Sequence, residues 1–189
     1  MTAVESAQAD VNQAKHALTA LLPSLLEATH SEWARFSSKA ARSAVESQTH
    51  VTEEMTNAQL TELKRALLEL DAVVDSDIDS GLRERLEAQI NAPATIYSQF
   101  QQPKDLVSEV FREYEKELWK RLNKAGYREM PTVEKFEASG DKTKYDRVFA
   151  ELLWSWISKT MSLMKASTAL SHALAAERSA SAGERWDKA

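Results

Sequence analysis

Apolar residues recur every three or four positions along most of the chain, which is the spacing that places them on one face of an α-helix. The first such pattern follows a capping box formed by Thr2 and Glu5, and it continues across Pro23. It predicts a first helix that ends between Gln48 and Val51 and is kinked beside Pro23, because proline removes one backbone hydrogen bond. The apolar positions of its first half are Val4, Ala7, Val11, Ala14, Leu18, Leu21, Leu25 and Ala28.

Three further helices are predicted before the last quarter of the chain. One opens at Thr56 and continues with a leucine-rich stripe, and a second, shorter helix follows an acidic turn. Another begins at Pro103, because proline is favoured in the first turn of a helix, and Gly126 is placed to end it. The apolar residues of these patterns are Leu60, Leu63, Leu67, Leu70, Val74, Leu82, Leu86, Ile90, Leu106, Val110, Tyr114, Leu118 and Leu122. Residues 127–143 are weakly patterned, and we expect a surface loop there.

The last helix is predicted to open at a capping box of Thr143 and Asp146 and to run to about Ala182, with a frayed tail at 183–189. Its first half is apolar over an arc of roughly 240°, which exceeds what a surface helix usually buries. A central helix with several neighbours explains this arc, and so does a helix that leaves part of its surface for a protein partner. The partner-binding candidates on this helix are Trp154, Trp156 and Met161.

Small residues dominate the end of the last helix and alternate with larger ones near the start of the first. Small residues let two helices approach closely, so we expect residues 4–21 to pack antiparallel against residues 166–182 in a coiled-coil-like stalk. The same seam would also join two chains in a dimer. Ala169 and Ala173 are therefore further partner-binding candidates.

Composition supports a helical fold in a single domain spanning 1–189. The chain has only 4 glycines and 4 prolines, too few for the many turns of a sandwich or barrel. We therefore predict an all-α, elongated antiparallel bundle of four to five helices. The absence of cysteine excludes disulfides and thiolate zinc sites and fits a cytoplasmic location. We expect no membrane insertion, because no uninterrupted apolar stretch reaches about 18 residues.

The charge of the chain argues against a nucleic-acid partner. Its net charge is −5, whereas binding to phosphates depends on an excess of lysine and arginine. The segment 116–128 mixes basic residues with Trp119 and Tyr127, which are residue types that grip phosphates and stack on bases. We interpret it as the basic end of a helix, because Trp119 lies beside the apolar stripe and cations complement a helix C-terminus.

Three alternating aspartates, Asp75, Asp77 and Asp79, have the spacing by which one loop directs several oxygen ligands at a calcium ion. An EF-hand loop that started at Asp75 would need glycine and a bidentate glutamate where this chain has Ser80 and Leu86. Because the glycine and the bidentate glutamate are missing from these positions, we interpret the stretch as a structural turn. A calcium-responsive module that uses these aspartates is the alternative hypothesis.

No catalytic motif emerges from the rest of the sequence. Glu27 and His30 match the E-x-x-H element of di-metal bundles, but the element occurs once and lies off the apolar face. A nucleophile elbow and a phosphate-binding loop are both missing from the sequence. We therefore expect a non-enzymatic protein without a cofactor that acts by binding another protein or a second copy of itself.

Overall fold

The computed structural model describes residues 2–46, 53–92, 101–124 and 146–186, and every element in these ranges is helical. The prediction of an all-α bundle is confirmed. The helices are α1 (Ala3–Glu46), α2 (Glu53–Asp77), a π-helical segment (Ile78–Leu82), α3 (Arg83–Asn91), α4 (Pro103–Lys124) and α5 (Arg147–Trp186).

The boundaries of these helices follow local sequence signals. The capping box at the start of α1 is present, since the Thr2 N–H donates to Glu5 Oε2 over 2.7 Å and the Glu5 N–H donates to Thr2 Oγ1 over 3.1 Å. α1 continues through Pro23, and α4 begins at Pro103 as predicted. None of the described helices is long and apolar enough to cross a membrane.

α1 and α5 are the longest helices, and they pack against each other as an antiparallel pair. At one end, the backbone N–H of Asp146, just before α5, donates to Glu32 Oε1 over 3.0 Å. Toward the other end, Ala166 and Leu170 of α5 pack on a core that reaches Val11 of α1. The predicted antiparallel arrangement of the terminal helices is therefore present.

The register of this pair differs from the predicted one. The hydrogen bond from Asp146 to Glu32 fixes which residues of the two helices lie at the same height. Ala173 lies 27 residues after Asp146 and Glu5 lies 27 residues before Glu32, so Ala173 lies level with Glu5 when both helices have the same rise per residue. The predicted pairing of residues 4–21 with residues 166–182 is therefore wrong by about two and a half turns. As a consequence, α5 extends beyond the start of α1, and residues 175–182 are exposed.

The predicted turn around Asp75–Gly81 is also wrong, because the chain remains helical from α2 through the π-helical segment into α3. The apolar spacing explains this. The buried residues Leu70, Val74, Ile78, Leu82, Leu86 and Ile90 recur at every fourth position. In a regular α-helix each such step drifts by about 40°, so five steps would turn the stripe by roughly 200°.

The π-helical segment corrects about half of this drift by adding a residue to one turn. Its wider hydrogen bonding is seen where the Arg83 N–H donates to the carbonyl oxygen of Ile78, five residues earlier. Ile78 and Leu82 are both fully buried. The stripe therefore keeps facing the other helices of the bundle along its whole length.

Trp33 of α1 is the centre of an aromatic cluster that joins α1 to α4. Its ring lies 5.6 Å from that of Phe36, 5.5 Å from that of Phe111 and 6.0 Å from that of Tyr114, measured between centroids. The last two rings belong to α4, and α4 is also joined to α3 by an ion pair between Arg85 and Glu109 at 3.0 Å. This cluster packs α4 against the C-terminal half of α1.

Several predicted features lie partly or wholly outside the described residues. The expected surface loop at 127–143, the helix end at Gly126 and the cap at Thr143 are among them. α5 begins at Arg147 rather than at the predicted cap, and it continues to Trp186, so the first four residues of the expected tail 183–189 are helical.

Candidate functional site

The two tryptophans predicted as partner-binding residues point in opposite directions from α5. Trp156 is fully buried, and its indole N–H donates to Gln89 Oε1 of α3 over 3.2 Å. Trp156 is therefore a core residue and cannot belong to an open surface. Trp154 is 71% exposed, the highest value among the large apolar side chains that the structure describes.

Helical geometry defines the surface around Trp154. The core-facing residues of this half of α5 are Phe149, Leu153, Trp156, Thr160 and Leu163. At 100° per residue, another set of six side chains occupies an arc of about 100° on the opposite side of the helix. We call this set the outer face of α5, and its members are Glu151, Trp154, Ser158, Met161, Ser162 and Lys165. All of them are exposed except Met161, which is half-buried.

The remaining partner-binding candidates lie further along the same helix. Ala169 is exposed and Ala173 is half-buried. Ala169 continues the outer face by one turn, and Ala173 lies at its edge, nearly in line with Ser162. Sequence reasoning found Trp154 and Met161 but missed Glu151, Ser158 and Lys165, because nothing in a helical pattern shows which side of a broadly apolar helix is left open.

The three aspartates of the calcium alternative do not form a loop. Asp75 lies in the last turn of α2, Asp77 ends that helix, and Asp79 lies in the π-helical segment. His30 of α1 is placed between two of them, with Nδ1 2.7 Å from Asp75 Oδ1 and Nε2 3.1 Å from Asp79 Oδ1. Asp75 and Asp79 therefore hold α1 against the junction of α2 and the π-helical segment.

This arrangement does not suit a metal ion. The two ring nitrogens of His30 point in different directions, so the carboxylates that contact them cannot converge on one cation together with the imidazole. Glu27, the other half of the E-x-x-H element, is exposed. Within the described ranges there is no group of three His, Asp or Glu side chains that could hold a metal ion.

A buried carboxylate, Glu32, joins α1 to the residue before α5. Its Oε1 accepts the Asp146 N–H, and its Oε2 lies 2.8 Å from the guanidinium of Arg35. Asp146 in turn caps α5, since its Oδ1 accepts the Val148 N–H over 2.8 Å. A groove of about 420 Å³ between α1 and the start of α5 runs beside these groups. Because Glu32 is already bonded to both helices, we assign it a structural role.

The basic segment at the end of α4 is also structural in its described part. Lys120 and Arg121 both lie near Glu117 of the same helix, at 3.3 Å and 3.7 Å. Trp119 is half-buried and packs against the core. One of the two stacking residues, Trp119, and two of the cations of the nucleic-acid hypothesis are therefore engaged within the fold, and Tyr127 lies outside the described residues.

One described carboxyl group has a shifted pKa. Burial raises the pKa of Asp71 above its ordinary value, the hydrogen bond from Trp33 lowers it, and the charge of Asp75 raises it again. The shift is explained by packing against α1, and Asp71 lies away from the outer face of α5.

Comparison with known proteins adds no family to this picture. No protein-family model matches the chain, and no curated protein sequence or solved structure shows significant similarity to it.

Proposed function

We propose that this chain is a non-enzymatic helical module that binds a protein, either another one or a second copy of itself, through the outer face of α5. The exposure of Trp154 carries this proposal. Tryptophan has a large apolar surface and is usually highly buried, and it is enriched among the residues that dominate binding energy at protein interfaces. A tryptophan that stands 71% exposed on a rigid helix is therefore a suitable interface anchor.

The neighbours of Trp154 support this role. Met161 lies two turns further along the outer face and adds an adaptable apolar side chain. Ser158, between these two large residues, and Ser162, next to Met161, are small, so a partner can approach the helix closely. Glu151 and Lys165 lie at the ends of the face and supply the charged rim that interfaces commonly have.

The module would act without a cofactor, by presenting this preformed surface. The backbone of a long helix is already ordered before a partner binds, so little of the binding energy is lost to ordering the backbone of this surface. The calcium-responsive alternative is not proposed, because His30 holds two of its three aspartates.

Affinity capture tests the proposal. The tagged chain is incubated with native lysate and, separately, with an untagged copy of itself, and the captured proteins are identified. We expect Trp154→Ser to abolish capture while leaving the melting temperature nearly unchanged. The matched control is Leu68→Ser on α2, which removes another exposed apolar side chain (64% exposed) and should leave capture intact. Capture that survives Trp154→Ser, or no capture of any protein, would overturn the proposal.

A further inference from the structure

The outer face of α5 is complementary to itself when two copies of the helix run antiparallel. We infer that its partner is a second copy of this chain, packed about a two-fold axis that passes beside Ser158. This inference rests on the proposed function and goes further, because it specifies the partner and the register of the contact. In such an isologous interface, a residue a given number of positions before Ser158 faces the residue the same number of positions after it.

The charged residues of the outer face fit this register. Glu151 lies seven positions before Ser158, and Lys165 lies seven positions after it. The two-fold axis therefore places Glu151 of each copy opposite Lys165 of the other. This gives two ion pairs, each between a negative and a positive side chain. A parallel contact would instead place like charges together. Glu151 also lies 2.9 Å from Arg147, one turn earlier on its own helix, so each glutamate would be held between two cations.

The sizes of the side chains fit the same register. Trp154 lies four positions before Ser158, and its counterpart four positions after is Ser162. Met161 lies three positions after the axis, and its counterpart three positions before is Ser155, which borders the face. Each large side chain of one copy thus faces a serine of the other. Ser158 faces itself, and its small side chain allows close approach of the two helices at the axis.

The first test is the mass of the full-length chain in solution, measured by light scattering over a concentration series. We expect a concentration-dependent dimer. Glu151→Lys and Lys165→Glu should each weaken the dimer by about tenfold or more, because each change replaces two attractive contacts by two repulsive ones. The double variant exchanges the charges and should restore the dimer, although it does not restore the pairing with Arg147. A chain that is monomeric at all concentrations, or a double variant no stronger than the single ones, would overturn the inference.

The second test uses the absence of native cysteine. Ser158→Cys should form a disulfide between two copies under mild oxidation, because a residue beside a two-fold axis meets its own counterpart. Two controls should crosslink much less. Ser162→Cys faces Trp154 rather than itself, and Ser76→Cys is exposed on α2, away from this face. Equal crosslinking at all three positions would show random collision and would contradict the proposed axis.

These tests separate the inference from the proposed function. A monomeric chain that captures a different protein in a Trp154-dependent manner would overturn the inference and leave the function in place. A chain that neither dimerises nor captures any protein would overturn both. Two results together support both: the dimer is weakened by Trp154→Ser, and the dimer that either single charge change weakens is restored when Glu151→Lys and Lys165→Glu are combined.

Discussion

Trp33 donates its indole N–H to a carboxylate oxygen of Asp71 over 3.2 Å, and this bond joins the aromatic cluster of α1 to α2. The bond satisfies the one polar group of a side chain that is otherwise completely buried. It also brings a carboxyl group close to the core, where burial disfavours its charged form.

The raised pKa of Asp71 has a definite consequence for stability. Because the native state binds this proton more tightly than the unfolded state, the contribution of Asp71 to stability falls as the pH rises above the ordinary aspartate pKa. Asp71→Asn removes this loss, and its amide oxygen can still accept from Trp33. In urea unfolding, we expect the wild-type chain to lose stability relative to Asp71→Asn as the pH rises above the ordinary aspartate pKa of about 4.

The effect should be small, because Asp71 is partly exposed and solvent screens its charge. Asp77→Asn, an exposed position on the same helix, serves as the control and should show no such divergence. A wild-type chain that gains stability relative to Asp71→Asn over this range would show that the sign is wrong.

Glu32 should matter far more than its helical neighbours. Glu32→Ala removes the acceptor of the Asp146 N–H and the partner of Arg35 in a site that is almost completely buried. We expect a loss of about 1–3 kcal/mol, measured by chemical denaturation. Glu27→Ala, an exposed position on α1, should change stability by less than about 0.5 kcal/mol. Equal effects of the two changes would contradict the role assigned to Glu32.

Gly81 should tolerate a side chain. It lies in the π-helical segment, it is exposed, and a Cβ atom placed on it meets nothing within 4 Å. Because glycine loses more backbone freedom than alanine on folding, Gly81→Ala should raise stability by about 0.5–1 kcal/mol. Ile78→Ala in the same segment should cost about 2–5 kcal/mol, since its side chain is fully buried. A destabilising Gly81→Ala would show that glycine is needed there.

The two neighbouring tryptophans should behave as a contrasting pair. Trp156→Ala leaves a cavity in the core and removes the donor to Gln89 Oε1, so we expect it to cost about 3–5 kcal/mol. Trp154→Ala should have almost no effect on the stability of the isolated chain. Quenching by an aqueous quencher measured on each single-tryptophan variant should affect Trp154 strongly and Trp156 weakly. A shielded Trp154 at concentrations where the chain is monomeric would contradict its position on the outer face.

The parts of the fold that could be predicted from sequence are those that local patterns determine. The Thr2–Glu5 box, the start of α4 at Pro103 and the core stripe of α1 are all set by residues within a few positions of one another. The helix is continuous through Asp77 and Gly81, against the predicted turn, because burial of the regularly spaced apolar residues outweighs the local preference of aspartate, serine and glycine for turns. Ile78 was the signal, since it continues the four-residue repeat from Val74 to Leu82.

The contacts between distant helices could not be predicted from such patterns. His30 meets Asp75 and Asp79, and Glu32 meets Asp146, across 45 to 114 residues of chain. Nothing in the local sequence of α1 specifies these partners. The register of α1 with α5 was wrong for the same reason, because alanine at regular spacing fits several offsets equally well.

The π-helical segment also gives the chain one place where its length can change. A π turn contains one residue more than an α turn, so removing Gly81 would let the segment close into a regular α-helix. Leu86 and Ile90 would then keep their orientation toward the core, whereas a deletion elsewhere in α2 or α3 would rotate them by about 100°. Deletion of a single residue should therefore be tolerated at this point of the bundle, whereas the regular helices on either side should not tolerate it.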